Sequence, residues 1–239
     1  MKFTLVESFL NETLVTIQDE LNPVLWSDNK LRPEIKEKIM ELVDEFNSTL
    51  DIPLTVLDIN IVGSNASYNY TDKSDVDVHI ITNFDEYGYP KEFIEAAMNA
   101  FKANFNNKYD ITYGGYNVEI YVEDVKSSPQ SNGIYSVVRD EWIKEPVKLQ
   151  PIDVDLEPEY TLFVDRINDI LTSGTEEDII RVIDDLYLLR RNSLVVDGEF
   201  GKGNLIFKTI RNDGLLDALK ERRVEISSQE LSIWGLSYI

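Results

Sequence analysis

The sequence predicts an α/β (α+β) fold: a mixed β-sheet with packed helices over residues 1–150, followed by a helical domain over 151–239. Two observations predict the first part. Apolar runs at 54–62 and 75–82 are strand-length and bounded by turn residues. Stripes at helical spacing lie before and after them, giving the order helix, strand, strand, helix, strand, strand. A third observation predicts the second part. From about residue 157 the apolar residues recur at three- and four-residue intervals.

Residues 3–20 read as an amphipathic helix with Leu5, Phe9, Leu10 and Leu14 on one stripe, ended by Asn22-Pro23. Acidic residues in its first turns and the lack of a small-residue cleavage site argue against a signal peptide. Pro33 opens the next helix, where its missing N–H is no loss. Ile35, Ile39, Leu42, Val43 and Phe46 form its apolar stripe. A third helix is expected over 91–107. Gly114-Gly115 predicts a hairpin turn between strands at 109–113 and 116–124. Residues 125–150, with Pro129, Gly133 and Pro146, read as irregular. Helices are expected near 157–172 and 175–196, from 204, and after Asp213-Gly214, with Asp213 as the N-cap of the last.

Composition narrows the function classes. The formal net charge is −21, from 23 basic against 44 acidic residues. Such a surface repels nucleic acid at long range, which argues against non-specific nucleic-acid binding. One segment departs from this: residues 190–223 hold eight bases and five acids. It is the place to expect a bound anion outside the main site. The plain alternative is a solvated helix face with paired charges. With no cysteine there is no thiolate zinc site, disulfide or cysteine nucleophile. No apolar run approaches the roughly 18 residues of a membrane span. No membrane partner and a cytoplasmic location are the expectation.

The chemistry concentrates in Ile61-Val-Gly-Ser64 and Ser74-Asp-Val-Asp-Val-His-Ile-Ile-Thr82. A strand ends at Val62, Gly63-Ser64 turns, ten residues intervene, and Asp75-Val-Asp77 heads a second strand. Residues two apart in a strand share a face, so Asp75 and Asp77 project together. Paired carboxylates repel unless a cation lies between them. Oxygen-only ligands suit Mg²⁺, which completes its shell with water and substrate phosphates. A Gly-Ser turn offers backbone N–H groups and a hydroxyl to a phosphate, and Gly63 lets it come close. Together these features suggest Mg²⁺-dependent chemistry on a nucleoside triphosphate.

This pattern resembles the signature of the DNA polymerase β-type nucleotidyltransferase superfamily, over roughly residues 35–125. The resemblance implies a nucleotidyltransferase-like sheet and three carboxylates holding two metal ions, Mg²⁺ or Mn²⁺. On this chain Asp75 and Asp77 would be metal ligands and Glu119, in Tyr116-Asn-Val-Glu-Ile-Tyr-Val122, the third carboxylate and a candidate base. Glu is less usual than Asp there, and Glu123 and Asp124 lie nearby. Gly63 and Ser64 would touch the β/γ-phosphates. Gly133-Ile-Tyr-Ser-Val137, Trp142, Pro146 and Gly198-Glu-Phe200 also look like predicted nucleotidyltransferases of tailed phages, a group that supplies no substrate. The helical domain would help form the base and acceptor pocket.

Other residues carry paired readings. His79 shares the face of Asp77 and either bonds a carboxylate or nucleotide or is a satisfied strand residue. Lys73 either meets the triphosphate or is solvated. Arg190 and Arg191 suit phosphate contact, but a helix C-terminus also attracts cations. Tyr68 and Tyr70 either stack on a base or are exposed. Gly201-Lys-Gly203 lacks Walker spacing, and its glycines more simply separate two helices. Asp58 reads as structural or surface. The expected activity is transfer of an NMP from an NTP to a hydroxyl, with pyrophosphate released. The acceptor is open among a small molecule, a protein side chain, an RNA 3′ end and a second nucleotide. The rival expectation is an inactive nucleotidyltransferase-like fold serving as a nucleotide-binding or protein-interaction module.

Overall fold

The computed structural model describes residues 17–127, 131–148 and 156–232. Residues 17–148 form one compact unit and 156–232 another.

The first unit is a six-stranded mixed sheet with helices packed on it. Its strands are β3 (Asp58–Val62), β4 (Val76–Thr82), β5 (Thr112–Tyr113), β6 (Tyr116–Asp124), β7 (Ile134–Ser136) and β8 (Glu141–Lys144), ordered β5-β6-β4-β3-β7-β8. Only β4 and β6 run parallel. A separate ribbon of β1 (Trp26–Ser27) and β2 (Lys30–Leu31) precedes it. Asp28 and Asn29 turn that ribbon at φ 51° and 62°, the conformation a two-residue hairpin favours.

Helix α1 (Pro33–Ser48) starts on Pro33 and buries Ile39, Leu42, Val43 and Phe46 on one stripe. Each such side chain contributes about 1.5–3 kcal/mol on full burial. The Phe46 ring meets Phe105 of α2 (Lys91–Lys108) edge-on at 5.2 Å. Strand β5 pairs only with Tyr116 and Asn117. Further along β6, the N–H of Ile120 donates to Asn106 of α2 at 3.4 Å.

Four expectations need correction in this unit. The first core strand begins at Asp58 rather than 54, because Asn47 of α1 binds both backbone groups of Leu54 (2.6 and 3.2 Å). Residues 125–150 are not irregular throughout, since β7 and β8 extend the sheet. Those strands are too short to carry a period. Tyr135, fully buried, lies edge-on to Trp26 and Trp142, each at 5.0 Å. Residues 17–20 are not helical; the N–H of Gln18 donates to Tyr68 O at 2.7 Å. The rest of that predicted helix lies outside the described residues. Tyr70 is buried and Tyr68 half-buried, so neither is an exposed loop tyrosine.

The second unit packs α3 (Glu157–Ser173), α4 (Glu176–Val196), α5 (Lys202–Asn212) and α6 (Leu215–Leu231) around Ile167, Ile179, Leu186 and Phe207. Thr175 and Asp178 make a reciprocal capping box at the start of α4. The glycines of Gly201-Lys-Gly203 stand where α4 gives way to α5. A Cβ at Gly203 would come within 2.9 Å of Leu189. Asp213 is not an N-cap. It closes α5, Gly214 opens α6 at φ 75°, and the Asp213 carboxylate accepts from the Tyr160 hydroxyl. Among the described residues, no helix is long and apolar enough to cross a membrane.

Candidate active site

Strand β3 ends at Val62, and Gly63 turns the chain with φ +75°, a region open to glycine. Val62 is the register partner of Asp77 on β4. That pairing brings the Gly63 backbone against the Asp77 carboxylate: a Cβ on Gly63 would sit 2.1 Å from Oδ2. Residues Ser64–Ala66 form a single 3-10 turn. The turn is fixed from below by Asn65, fully buried, whose Nδ2 donates to the backbone oxygen of Asp75 at 2.9 Å. Asn22 donates to Asn65 Oδ1, and Trp26 Nε1 donates to its carbonyl, each at 2.7 Å. Asn65 therefore couples the Gly-Ser turn to the first aspartate. Ser64 Oγ donates to Ser74 Oγ at 2.9 Å, and the Gly63 N–H donates to Ser131 Oγ at 3.1 Å.

Strand alternation separates the two faces of β4 and β6. Val76, Val78, Ile80, Val118 and Ile120 are buried, whereas Asp75, Asp77, His79, Glu119, Tyr121 and Glu123 are half-buried. The parallel register sets Asp77 beside Glu119 and His79 beside Tyr121. The Tyr121 hydroxyl donates to Glu119 Oε2. Burial pushes the Tyr121 pKa well above its ordinary value, and the bonded Glu119 and the charges of Asp77 and Asp75 push it further. Of the three predicted carboxylates, Glu119 bonds this hydroxyl, and the charges of Asp77 and Asp75 disfavour its ionisation.

Two side chains complete the site. Lys102 reaches in from α2 with Nζ 3.5 Å from the Tyr121 ring centroid. Burial draws its pKa below the ordinary lysine value, while the charges of Glu119 and Asp77 draw it back up. His79 Nδ1 lies 2.8 Å from Glu123 Oε2, and its ring is 4.9 Å from that of Tyr121.

The three acids of β6 have different surroundings. Glu123 is bonded to His79. Asp124 is buried and meets Lys91 Nζ at 3.2 Å and the N–H groups of Phe84 and Lys126. Glu119 is the acid in register with Asp77. Among the described residues, no three His, Asp or Glu side chains are gathered as ligands of one ion. A Mg²⁺ held by one or two carboxylates plus substrate phosphates does not require three. The oxygen-only set of Asp75 and Asp77, with a glycine backbone packed against it, fits such an ion.

The remaining predicted residues have these surroundings within their own units. Lys73 is exposed in the turn before Ser74, with its N–H on Thr71 Oγ1 at 3.3 Å. Arg190 and Arg191 belong to the helical unit. The Arg190 guanidinium lies 4.8 Å from the Phe207 ring centroid, and Arg191 is exposed. Several bases of 190–223 are paired: Lys220 with Asp217, Arg222 with Glu225, Arg223 with Glu176 and Lys202 with Glu159. Asp58 is buried and structural, receiving Ser136 Oγ at 2.7 Å and Arg139 at 2.9 Å.

Sequence reasoning missed Asn65, Lys102, Tyr121 and Ser131. Tyr121 was within reach, since it lies two residues beyond Glu119 on the same strand. Lys102 had no such signal, because it comes from a helix in a different part of the chain.

Compared with protein-family models the chain matches none, and no curated protein matches it.

Proposed function

We propose that the protein is a Mg²⁺-dependent nucleotidyltransferase of the DNA polymerase β type, moving an NMP from an NTP to a hydroxyl. The observation that supports this reading is the parallel register that sets Glu119 beside Asp77, two residues beyond Asp75, with the Gly63 backbone against the Asp77 carboxylate.

Asp75 and Asp77 would hold Mg²⁺, which supplies charge to offset the triphosphate and the departing pyrophosphate. Gly63 and Ser64 would receive the β/γ-phosphates at a turn already fixed by Asn65. A turn held before substrate arrives needs no reorganisation during the reaction. The acceptor oxygen attacks the α-phosphorus, and the bond from that phosphorus to the pyrophosphate oxygen breaks. Glu119 takes the acceptor's proton on Oε1, the oxygen opposite the one bonded by Tyr121. The acidic chain favours small or single-ended acceptors over long nucleic acids.

One observation favours the alternative of a non-catalytic nucleotide-binding or protein-interaction module. The Gly63 N–H is bonded to Ser131, and Glu119 to Tyr121. A phosphate at Gly63 must replace the Ser131 hydroxyl.

Melting curves with Mg²⁺ and each NTP, paired with a pyrophosphate assay, separate the two. Mg²⁺-dependent stabilisation with pyrophosphate release supports the enzyme. Stabilisation with no pyrophosphate from any acceptor pool favours the nucleotide-binding module, and no stabilisation by any nucleotide contradicts the enzyme and leaves the protein-interaction module.

A further inference from the structure

The sheet face that carries Asp77 and Glu119 continues one step further along the strands. Ile59 and Ile61 of β3 join the core with Val76, Val78 and Ile80, so Asn60 stands on the opposite face. The register sets Asn60 beside His79, and His79 beside Tyr121. Asn60 is 8% exposed, and its Oδ1 has no hydrogen-bond partner among the described residues. Ser136, its neighbour on β7, gives its hydroxyl to Asp58 instead. Buried amides are ordinarily satisfied, so an orphaned one calls for a physical explanation. His79 beside it is held in place: Nδ1 lies 2.8 Å from Glu123 Oε2, and the ring lies 4.9 Å from that of Tyr121. A carboxylate accepts, so Nδ1 carries the proton, and Nε2 is the nitrogen that can meet a ligand.

We propose that Asn60 and His79 form an acceptor subsite that binds one hydroxyl of a neutral polyol, with Glu123 as the positioning residue of the His79 ring. This rests on the nucleotidyltransferase reading and names the acceptor class which that reading leaves open. The subsite lies one register step, about 7 Å along β4 and β6, from Asp77 and Glu119. A polyol spans such a step with two of its own hydroxyls. The one at Glu119 loses its proton there and receives the NMP; the one at Asn60 is only bound. The vicinal diol of an RNA 3′ end is too short for this, and a protein side chain brings a single hydroxyl. A hydroxyl both donates and accepts, so it suits the Asn60 amide and Nε2 in either protonation state. A site built to hydrogen-bond a hydroxyl rejects ligands that lack it.

The test uses the full chain with its histidine ring ¹³C-labelled, since a single histidine gives a single signal. Binding of α,β-methylene-ATP with Mg²⁺ is read first; its absence contradicts the nucleotidyltransferase reading, and this proposal with it. With that nucleotide bound, the polyols myo-inositol, D-glucose and glycerol are titrated, and the dinucleotide ApA and a serine peptide serve as rivals. The expected result is a saturable shift of the His79 signal by a polyol and none by ApA or the peptide. Asn60→Leu, folded by circular dichroism, should weaken the polyol at least tenfold without lowering the melting temperature, because an orphaned buried amide is replaced by an apolar group of similar size. If Asn60→Leu does not fold, His79→Gln followed by isothermal titration takes its place, with the same tenfold loss expected. A shift by ApA or the peptide alone, or by no probe, overturns the subsite and leaves the nucleotidyltransferase reading standing. Polyol binding unchanged in the folded variant overturns it as well.

Discussion

A Cβ added to Gly63 would lie 2.1 Å from Oδ2 of Asp77. The last strand residue before the turn, Val62, is the register partner of that aspartate, so the closeness follows from strand pairing rather than loop placement. Gly63→Ala therefore has two costs. Alanine at φ +75° is strained by about 1–2 kcal/mol, and the carboxylate must move. The expected outcome is a fold weakened by about 1–3 kcal/mol in urea unfolding, with transfer reduced far more than stability. Native activity in Gly63→Ala would contradict the placement of Asp77 in the site.

Tyr121→Phe keeps the ring beneath Lys102 and removes only the hydroxyl bonded to Glu119. A net hydrogen bond to a charged group contributes about 1.5–3 kcal/mol when buried, and less at this half-buried position. The melting temperature should change little. The rate of transfer should fall about tenfold, equivalent to about 1.4 kcal/mol of barrier. An unchanged rate would show that Glu119 needs no support from the tyrosine.

Alkaline pH should loosen the sheet unit. Burial, aided by the charge of Glu41, pushes Tyr113 up to about 12. Burial does the same for Tyr135, and the Asp140 carboxylate adds to it, against the opposing bond from the Leu31 N–H. Both groups hold their protons more tightly folded than unfolded. Their contribution is complete below pH 10 and declines as pH rises from 10 towards 12. Ultraviolet titration should show delayed tyrosinate absorbance, rising together with loss of near-ultraviolet dichroism. Tyr135→Phe should reduce the pH dependence in that window. Tyrosinate forming fully near pH 10 with the fold intact would contradict this burial.

Much of the sheet unit was legible because its strands carry period-2 alternation and its turns carry glycine. Asp75, Val76, Asp77, Val78 and His79 alternate between faces, and Gly114-Gly115 turns β5 into β6 as expected. Strands β7 and β8 were not legible, since three or four residues ending at a turn through Asp140 at φ 58° show no period. Within the site, the carboxylates were legible by spacing. Asn65 was not, because its role depends on burial and on bonds to Asn22, Trp26 and Asp75. Lys102 was not, because a cation's partner across the fold leaves no mark in the local sequence.

The central claim is that Asp75, Asp77 and Glu119 support nucleotidyl transfer. The most direct measurement is label transfer from each α-³²P NTP, with Mg²⁺ or Mn²⁺, into separate pools of RNA, protein and small molecules. The native chain should label one pool, and the Asp75→Asn/Asp77→Asn variant, folded by circular dichroism, should label none. Equal labelling by the native chain and the double variant would contradict the account, as would no labelling of any pool by a native chain that binds the nucleotide.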